Sequence, residues 1–445
     1  MSSFLISAVS MAVVLGFMIF IHELGHFIAA KSLGVRVEQF AIGFGKRLFG
    51  VKKGDTDYRI NLLPLGGYVK MAGENPGEQR TGDPGEFMSH PRWHRFIIAI
   101  AGPSMNILLA IALLTGVYMV RYEHPSFLNK PAVIGWVQPG SAADKAGFQA
   151  GDRIVRIDGI QQPKWEDVLP KVVLSPGQPV SVAVQRGNEI LQKTITPVPS
   201  GPEQFGSPGW VPDEPNLVTE LEPGMPAEKA GLKVGDIITA VNGVSVRSMP
   251  ALIYAIQANK DEPLDYTVLR DGQELQFRIA AVPSVTNGEN RYRIGVRSDP
   301  EEIDRLPFGK AVSKSVETNK KYSVLIFELV EKMIQRKVSM KQVEGPIGIA
   351  AATGQAARQP GWTPLLALTA MISLNLGIFN LFPIPILDGG VILLLFVEGL
   401  MRRDISQALK ERIYQAAFVF LLLFAAVVIY NDLMKQLPGL TGRLP

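Results

Sequence analysis

Residues 4–30 read FLISAVSMAVVLGFMIFIHELGHFIAA, an apolar run broken by one polar cluster of His22, Glu23 and His26. A helix needs about 20 apolar residues to cross the hydrocarbon core of a bilayer, and this run exceeds that. No Lys or Arg precedes Lys31, and the run outlasts the apolar region of a signal peptide. It is therefore expected to be a retained anchor. Three further runs share its character: 96–120 carries no charge, 365–397 carries only Asp388, and 413–430 is again uncharged. Four crossings of a lipid bilayer follow.

At roughly 150 residues per domain, the 445 residues make about three units. Apolar residues are 47% and charged residues 19%, below the roughly 25% charged of an average soluble chain, which excludes a disordered protein. The net charge of +4 is spread without a long basic run, so no nucleic-acid partner is expected. The chain has no cysteine, which excludes disulfides, thiolate ligands and cysteine nucleophiles. Any metal must be held by nitrogen and oxygen. The links 31–95 and 401–412 are rich in Lys and Arg, which places them in the cytosol and puts both termini and the segment 121–361 outside. In a Gram-negative bacterium that outside is the periplasm, and the membrane is the inner one.

The outer segment contains a duplication. Residues 133–160, VIGWVQPGSAADKAGFQAGDRIVRIDGI, align with 216–244, NLVTELEPGMPAEKAGLKVGDIITAVNGV. Each copy is expected to run strand, Pro-Gly turn, short helix, Gly-Asp turn and strand, closing on a tight turn at Asp158-Gly159 or Asn242-Gly243. The pattern resembles PDZ domains of bacterial envelope proteases, which bind extended peptides by adding a strand to a sheet edge. Two roles stand open, peptide binding and a spacer or size filter. Downstream, Tyr322, Leu325, Ile326, Leu329, Val330 and Met333 recur at helical spacing and predict an amphipathic helix over 322–334, either on the outer membrane surface or against the neighbouring domain.

The chemistry sits in His22-Glu23-Leu24-Gly25-His26, an H-E-x-x-H motif. Residues four apart share a helix face, so both imidazoles can bind one Zn2+ with Glu23 beside it as general base. Near a bilayer centre Glu23 and Asp388 would each cost about 2.5–3.5 kcal/mol. A bound zinc compensates, since structural sites reach about 10–16 kcal/mol. A catalytic zinc takes three protein ligands and keeps one position open. His90, His94 and His124 lie at or beyond the ends of the second run, whereas Asp388 closes Asn380-Leu381-Phe382-Pro383-Ile384-Pro385-Ile386-Leu387-Asp388. Two prolines there break the helix, and broken backbone at membrane depth is tolerated only beside protein or a wet cavity. Asp388 is the candidate third ligand; a carboxylate that merely caps the broken helix is the competing role.

These two motifs together resemble the site-2 protease family of intramembrane zinc metalloproteases. Gly43-Phe44-Gly45-Lys46, the segment from Leu65 through Gly66, Gly67, Tyr68, Val69 and Lys70 to Met71, Gly102-Pro103-Ser104-Met105-Asn106 and Gly345-Pro346-Ile347 match it as well. The resemblance implies that His22, His26 and Asp388 ligate Zn2+, that Glu23 is the catalytic base, and that Asn380 contacts the substrate backbone beside Pro383 and Pro385. It also implies that the strand region at Gly66 and Gly67 is a membrane-associated β loop offered to an unwound substrate; an ordinary cytosolic hairpin is the alternative. Asn106 would line the cavity or join a helix contact. Many relatives carry histidine after Asp-Gly-Gly, where this chain has Val391.

The expected fold is a multi-domain membrane protein, a four-helix transmembrane metalloprotease core plus two tandem α+β PDZ domains. Its divisions are 1–120 for helices 1 and 2 with the cytosolic loop 31–95, 121–205 and 206–300 for the two PDZ domains, 301–360 for the external amphipathic region, and 361–445 for helices 3 and 4. The resemblance implies cleavage of single-span membrane proteins within the bilayer, namely anti-sigma factors already trimmed outside and remnant signal peptides. The competing class is a non-enzymatic, membrane-anchored PDZ receptor whose metal site is structural or vacant.

Overall fold

The computed structural model describes residues 3–74, 81–201, 203–286, 289–298 and 301–436, so both ends of the chain fall outside the described residues. Among the described residues, four helices are long and apolar enough to cross a membrane: Leu5–Ser32, Arg92–Val120, Thr363–Asn380 and Gln407–Lys435. Chain contacts divide into two units. One comprises Met1–Tyr122, Arg305–Val330 and Val343–Pro445, the other Glu123–Asp304 and Glu331–Gln342.

In the helical unit the second helix, Arg92–Val120, touches both the first and the third at close range. A Cβ on Gly25 would stand 2.5 Å from the Ala101 carbonyl oxygen, and one on Gly377 would stand 2.9 Å from that of Pro103. Helices surrounded by lipid gain nothing from burying apolar surface against each other, so close backbone approach at small residues takes over as the attractive term. Ala110, Leu114 and Val117 interlock with Ala370, Leu374 and Ile378 of the third helix along the rest of that seam.

The third apolar run forms two helices, Thr363–Asn380 and Asp388–Met401. Pro383 and Pro385 cannot supply the amides that would continue the first one. Ile386 takes φ +92°, a left-handed conformation that a β-branched side chain rarely adopts. Gly389 and Gly390 let the turn fold back onto the new helix. A Cβ at either would lie 2.2 Å from Leu381 O or 2.3 Å from Ile384 O. The two glycines after Asp388 are thus a steric requirement of the turn before it.

Between the first two helices, Val37–Lys53 and Thr56–Met71 pair antiparallel with repeated register shifts. Ala41 faces both Tyr68 and Arg59, while Tyr58 also faces Val51. The hairpin therefore folds into four short strands in the order 67–71, 37–42, 56–61, 47–53, with 67–71 on an outer edge. Phe44, Phe49, Val51, Ile60 and Leu63 are exposed, Phe49 at 71%, an apolar concentration of the kind that marks an interaction surface.

The amphipathic helix spans Phe308–Ile334, longer than its periodic core suggested. Within the helical unit its neighbour is the second helix: Ser315 Oγ donates to Ile111 O at 2.8 Å, and Tyr118 OH donates to Thr318 Oγ1 at 3.2 Å. A further helix, Pro346–Arg358, begins at Gly345-Pro346-Ile347. The Asp432 carboxylate of the last helix accepts from the amides of Gly345, Ile347 and Gly348 at 3.0, 3.0 and 3.1 Å. An anion there also meets the positive end of the helix dipole. Gly354 of the same helix lies against Ser7 of the first.

The second unit contains the duplication. In the first copy the sheet order is Ile160–Gln161, Arg153–Ile157, Val180–Arg186, Glu189–Ile195, covered by the helix Trp165–Val173. The second copy repeats this with Val244–Ser245, Ile237–Val241, Pro263–Arg270, Gln273–Ala280 and the helix Met249–Asn259, and adds Asn216–Leu217 beside Ile237–Val241. Both tight turns have two successive positive φ angles, Asp158-Gly159 and Asn242-Gly243, the type I′ geometry that matches strand twist. In each copy a buried aspartate, Asp152 or Asp236, takes two hydrogen bonds from an arginine 34 residues on, Arg186 or Arg270. The arginine also donates to a carbonyl, that of Gly147 or Gly231, at 2.9 Å. The Arg270 hydrogen bonds hold the Asp236 carboxyl below its usual range.

Candidate metal centre

His22 and His26 sit one turn apart near the end of the first helix, and both are buried. Their Nε2 atoms are 3.1 Å apart. Asp388, the first residue of its helix, approaches them with Oδ2 3.1 Å from His22 Nε2 and Oδ1 3.4 Å from His26 Nε2. Among the described residues these three are the His, Cys, Asp or Glu side chains that gather closely enough to share a metal ion. The donor set fits zinc. Ligand bonds of about 2.0 Å around a tetrahedral centre put ligand atoms roughly 3.3 Å apart, which is the separation found here. Two imidazole lone pairs and a carboxylate converging on one point repel unless a cation or a proton lies among them.

Glu23 lies on the same turn of helix and its Oε2 accepts from the Val69 amide at 2.9 Å. This bond ties the outer strand 67–71 to the motif. Gly67 makes the approach possible: a Cβ there would stand 3.6 Å from Glu23 Cγ and 2.7 Å from Ala41 O. Gly66, at φ +121°, would meet the Phe44 ring. The three ligand candidates, Glu23, Val69, Asn380 and Val391 all line one cavity of about 790 Å3. Pro383 and Pro385 are not among its lining residues; they act through the turn that delivers Ile386, Leu387 and Asp388 to the wall.

The second helix supplies three successive turns to this centre. The Ile98 carbonyl is 2.8 Å from His26 Nδ1. Four residues on, Gly102 leaves room for the imidazoles, since a Cβ there would lie 2.3 Å from His26 Nε2 and 2.8 Å from His22 Nε2. Four residues further, the Asn106 side chain lies 3.2 Å from His22 Nδ1. The segment Gly102-Pro103-Ser104-Met105-Asn106 brought Asn106 forward from the sequence, but not Ile98 or the clearance that Gly102 gives the imidazoles. The i, i+4, i+8 stripe was available in the sequence as a sign, although a backbone carbonyl leaves no letter to recognise.

At its far end the cavity is lined by Arg95, Glu398 and Lys410. Glu398 is fully buried, and its Oε1 accepts from Lys410 Nζ at 2.6 Å and from the Ile405 amide at 3.1 Å. This pairing holds the basic link between the helices Asp388–Met401 and Gln407–Gln436, and sequence reasoning did not find it. The other histidines go elsewhere: His90 Nδ1 is 3.0 Å from His94 Nδ1, and His124 Nε2 is 3.4 Å from Asp304.

Comparison with known proteins gives the family. Peptidase family M50 matches residues 10–424. A protein named putative zinc metalloprotease from Vibrio cholerae is 32% identical, covering 98% of this chain and all of its own length. The regulator of sigma-E protease RseP from Salmonella typhimurium is 31% identical with the same coverage of both chains. A solved PDZ domain of an SdrC-like protein from Listeria monocytogenes covers 20% of this chain and 90% of its own, at 19% identity and a TM-score of 0.18. With a match over nearly its whole length, an H-E-x-x-H helix and membrane-type helices around it, the chain belongs to peptidase family M50, the site-2 proteases, and is a zinc metalloprotease of that type.

Proposed function

We propose that this protease cleaves the transmembrane segments of single-span membrane proteins inside the bilayer, using His22, His26 and Asp388 as zinc ligands and Glu23 as the base. The observation that carries this is the convergence of Asp388 on two imidazoles of a different helix, 3.1 and 3.4 Å away, with Glu23 facing the same cavity. Zinc in that position supplies a Lewis acid for the scissile carbonyl and acidifies water. Glu23 takes the proton from the attacking water and returns it to the leaving amine. Its hydrogen bond from Val69 keeps Oε2 oriented while Oε1 serves the water.

A substrate helix hides its carbonyls in its own hydrogen bonds, so the segment must unwind before attack. The outer edge of strand 67–71 offers backbone partners to an extended segment, and Asn380 on the cavity wall offers an amide to its backbone. The exposed apolar hairpin favours a membrane-associated loop over a hairpin free in water. Anti-sigma factors trimmed from outside and remnant signal peptides are the proposed substrates. The two repeats, as tandem PDZ domains, would stand outside a bacterial inner membrane and exclude substrates with bulky outer domains. The basic links 31–95 and 401–412 orient the chain accordingly.

The test is Glu23→Gln in detergent with a single-span reporter. Zinc content is expected to stay at the wild-type level while cleavage falls by about 100-fold or more. Cleavage at the wild-type rate would remove Glu23 from the mechanism.

A further inference from the structure

Asn106 is fully buried, yet its Oδ1 has no hydrogen-bond partner while Nδ2 faces His22 Nδ1 at 3.2 Å. The position of His22 decides which of these two amide atoms belongs at the ring. Its Nε2 is the atom that faces His26 and Asp388, so a cation held there takes the Nε2 lone pair. In a neutral imidazole the proton must then sit on Nδ1. An N–H cannot bond to an amide NH2, but it can bond to an amide oxygen. The oxygen and nitrogen of a carboxamide have nearly the same shape, and turning the group by 180° exchanges them.

We propose that Asn106 is a positioning residue for the metal centre: its Oδ1 accepts from His22 Nδ1–H, selecting the tautomer and aiming Nε2 at the cation. Its counterpart is already formed on the other ring, where the Ile98 carbonyl faces His26 Nδ1 at 2.8 Å. Both imidazoles are then held from behind by acceptors of one helix, two turns apart, with Gly102 clearing the space between. The side chain is well placed for this role. Ser373 Oγ donates to the Asn106 carbonyl at 2.9 Å, and Gly377 of the third helix packs against its Cβ. This inference rests on the zinc reading of His22, His26 and Asp388.

The experiment measures zinc affinity of the purified full chain in detergent by chelator competition, for wild type, Asn106→Ala and Asn106→Asp, together with thermal unfolding of each zinc-free protein and the visible spectrum of each cobalt-substituted protein. Loss of an outer partner of a ligating histidine typically lowers metal affinity about 10- to 100-fold, which is the loss expected for Asn106→Ala. Asn106→Asp keeps an acceptor and removes the donor, so it is expected to bind within about threefold of wild type, or tighter, and to keep the wild-type cobalt spectrum. Wild-type affinity in Asn106→Ala would overturn the proposal. So would an equal loss in both variants, because that marks a donor or a packing role; matched unfolding temperatures separate these from a folding defect. If the wild-type chain itself takes up no zinc, the ligand assignment fails first and the proposal fails with it.

Discussion

The Val69 amide donates to Glu23 Oε2 at 2.9 Å, so the outer strand of the hairpin 37–71 and the proposed base are in direct contact. With its N–H given to Glu23 on an edge strand, Val69 is a position where proline is tolerated in a sheet.

Val69→Pro is therefore expected to preserve zinc content and folding while lowering cleavage of a single-span reporter by at least about tenfold, the scale of one charge-assisted hydrogen bond of about 1.5–3 kcal/mol. Unchanged turnover would mean that neither the Glu23 contact nor the strand edge serves the reaction.

Gly102→Ala places a methyl group within 2.3 Å of His26 Nε2 and 2.8 Å of His22 Nε2. Zinc uptake should fall by more than about 100-fold, since the rings can no longer converge at bonding distances of about 2.0 Å. Metal analysis of the purified variant checks this, and a normal zinc content would show that the helices separate more easily than the packing suggests.

Asp432→Ala removes the acceptor of three amides at the start of the helix Pro346–Arg358. A lost N-terminal carboxylate costs about 1–2 kcal/mol. Faster amide exchange at Ile347 and Gly348 is the expected result, without change in zinc content; exchange at the wild-type rate would exclude a capping role.

Arg270→Gln tests the ion pair of the second repeat. Because Arg270 depresses the Asp236 carboxyl, the pair stabilises the fold above the unfolded-state value of about 3.9 and loses that contribution as pH falls through the folded value. Hydrogen exchange of strand Ile237–Val241 should show a large gap between variant and wild type at pH 7 that shrinks towards pH 3. A gap of constant size would assign the effect to packing of the arginine stem.

Much of this molecule is legible in its sequence. His22, Glu23 and His26 are visible because four-residue spacing and helical geometry coincide, and Asp388 because two prolines and a charge have no other business in an apolar run. The duplication showed itself by comparison of the chain with itself, since turns that demand positive φ keep their glycines. What stayed hidden was carried by backbone or by distance along the chain. The Ile98 carbonyl has no side-chain signature, and Asp432 caps a helix far upstream of it. Helix Pro346–Arg358 is too short and too weakly patterned to stand out. Glu398 and Lys410 look like ordinary surface charges at a helix end until packing buries them. The folded-back hairpin depends on register shifts that alternation along 37–71 does not encode.

Ile98, Gly102 and Asn106 meet the two imidazoles from one face of the second helix. A slip of the second helix by one residue would rotate that face by about 100° and shift it about 1.5 Å along its axis, withdrawing the carbonyl, the gap and the amide together. On the proposed zinc site, metal loading and helix docking are then one event and not two, and a bilayer thin or thick enough to tilt this helix is expected to silence the enzyme without touching a proposed ligand.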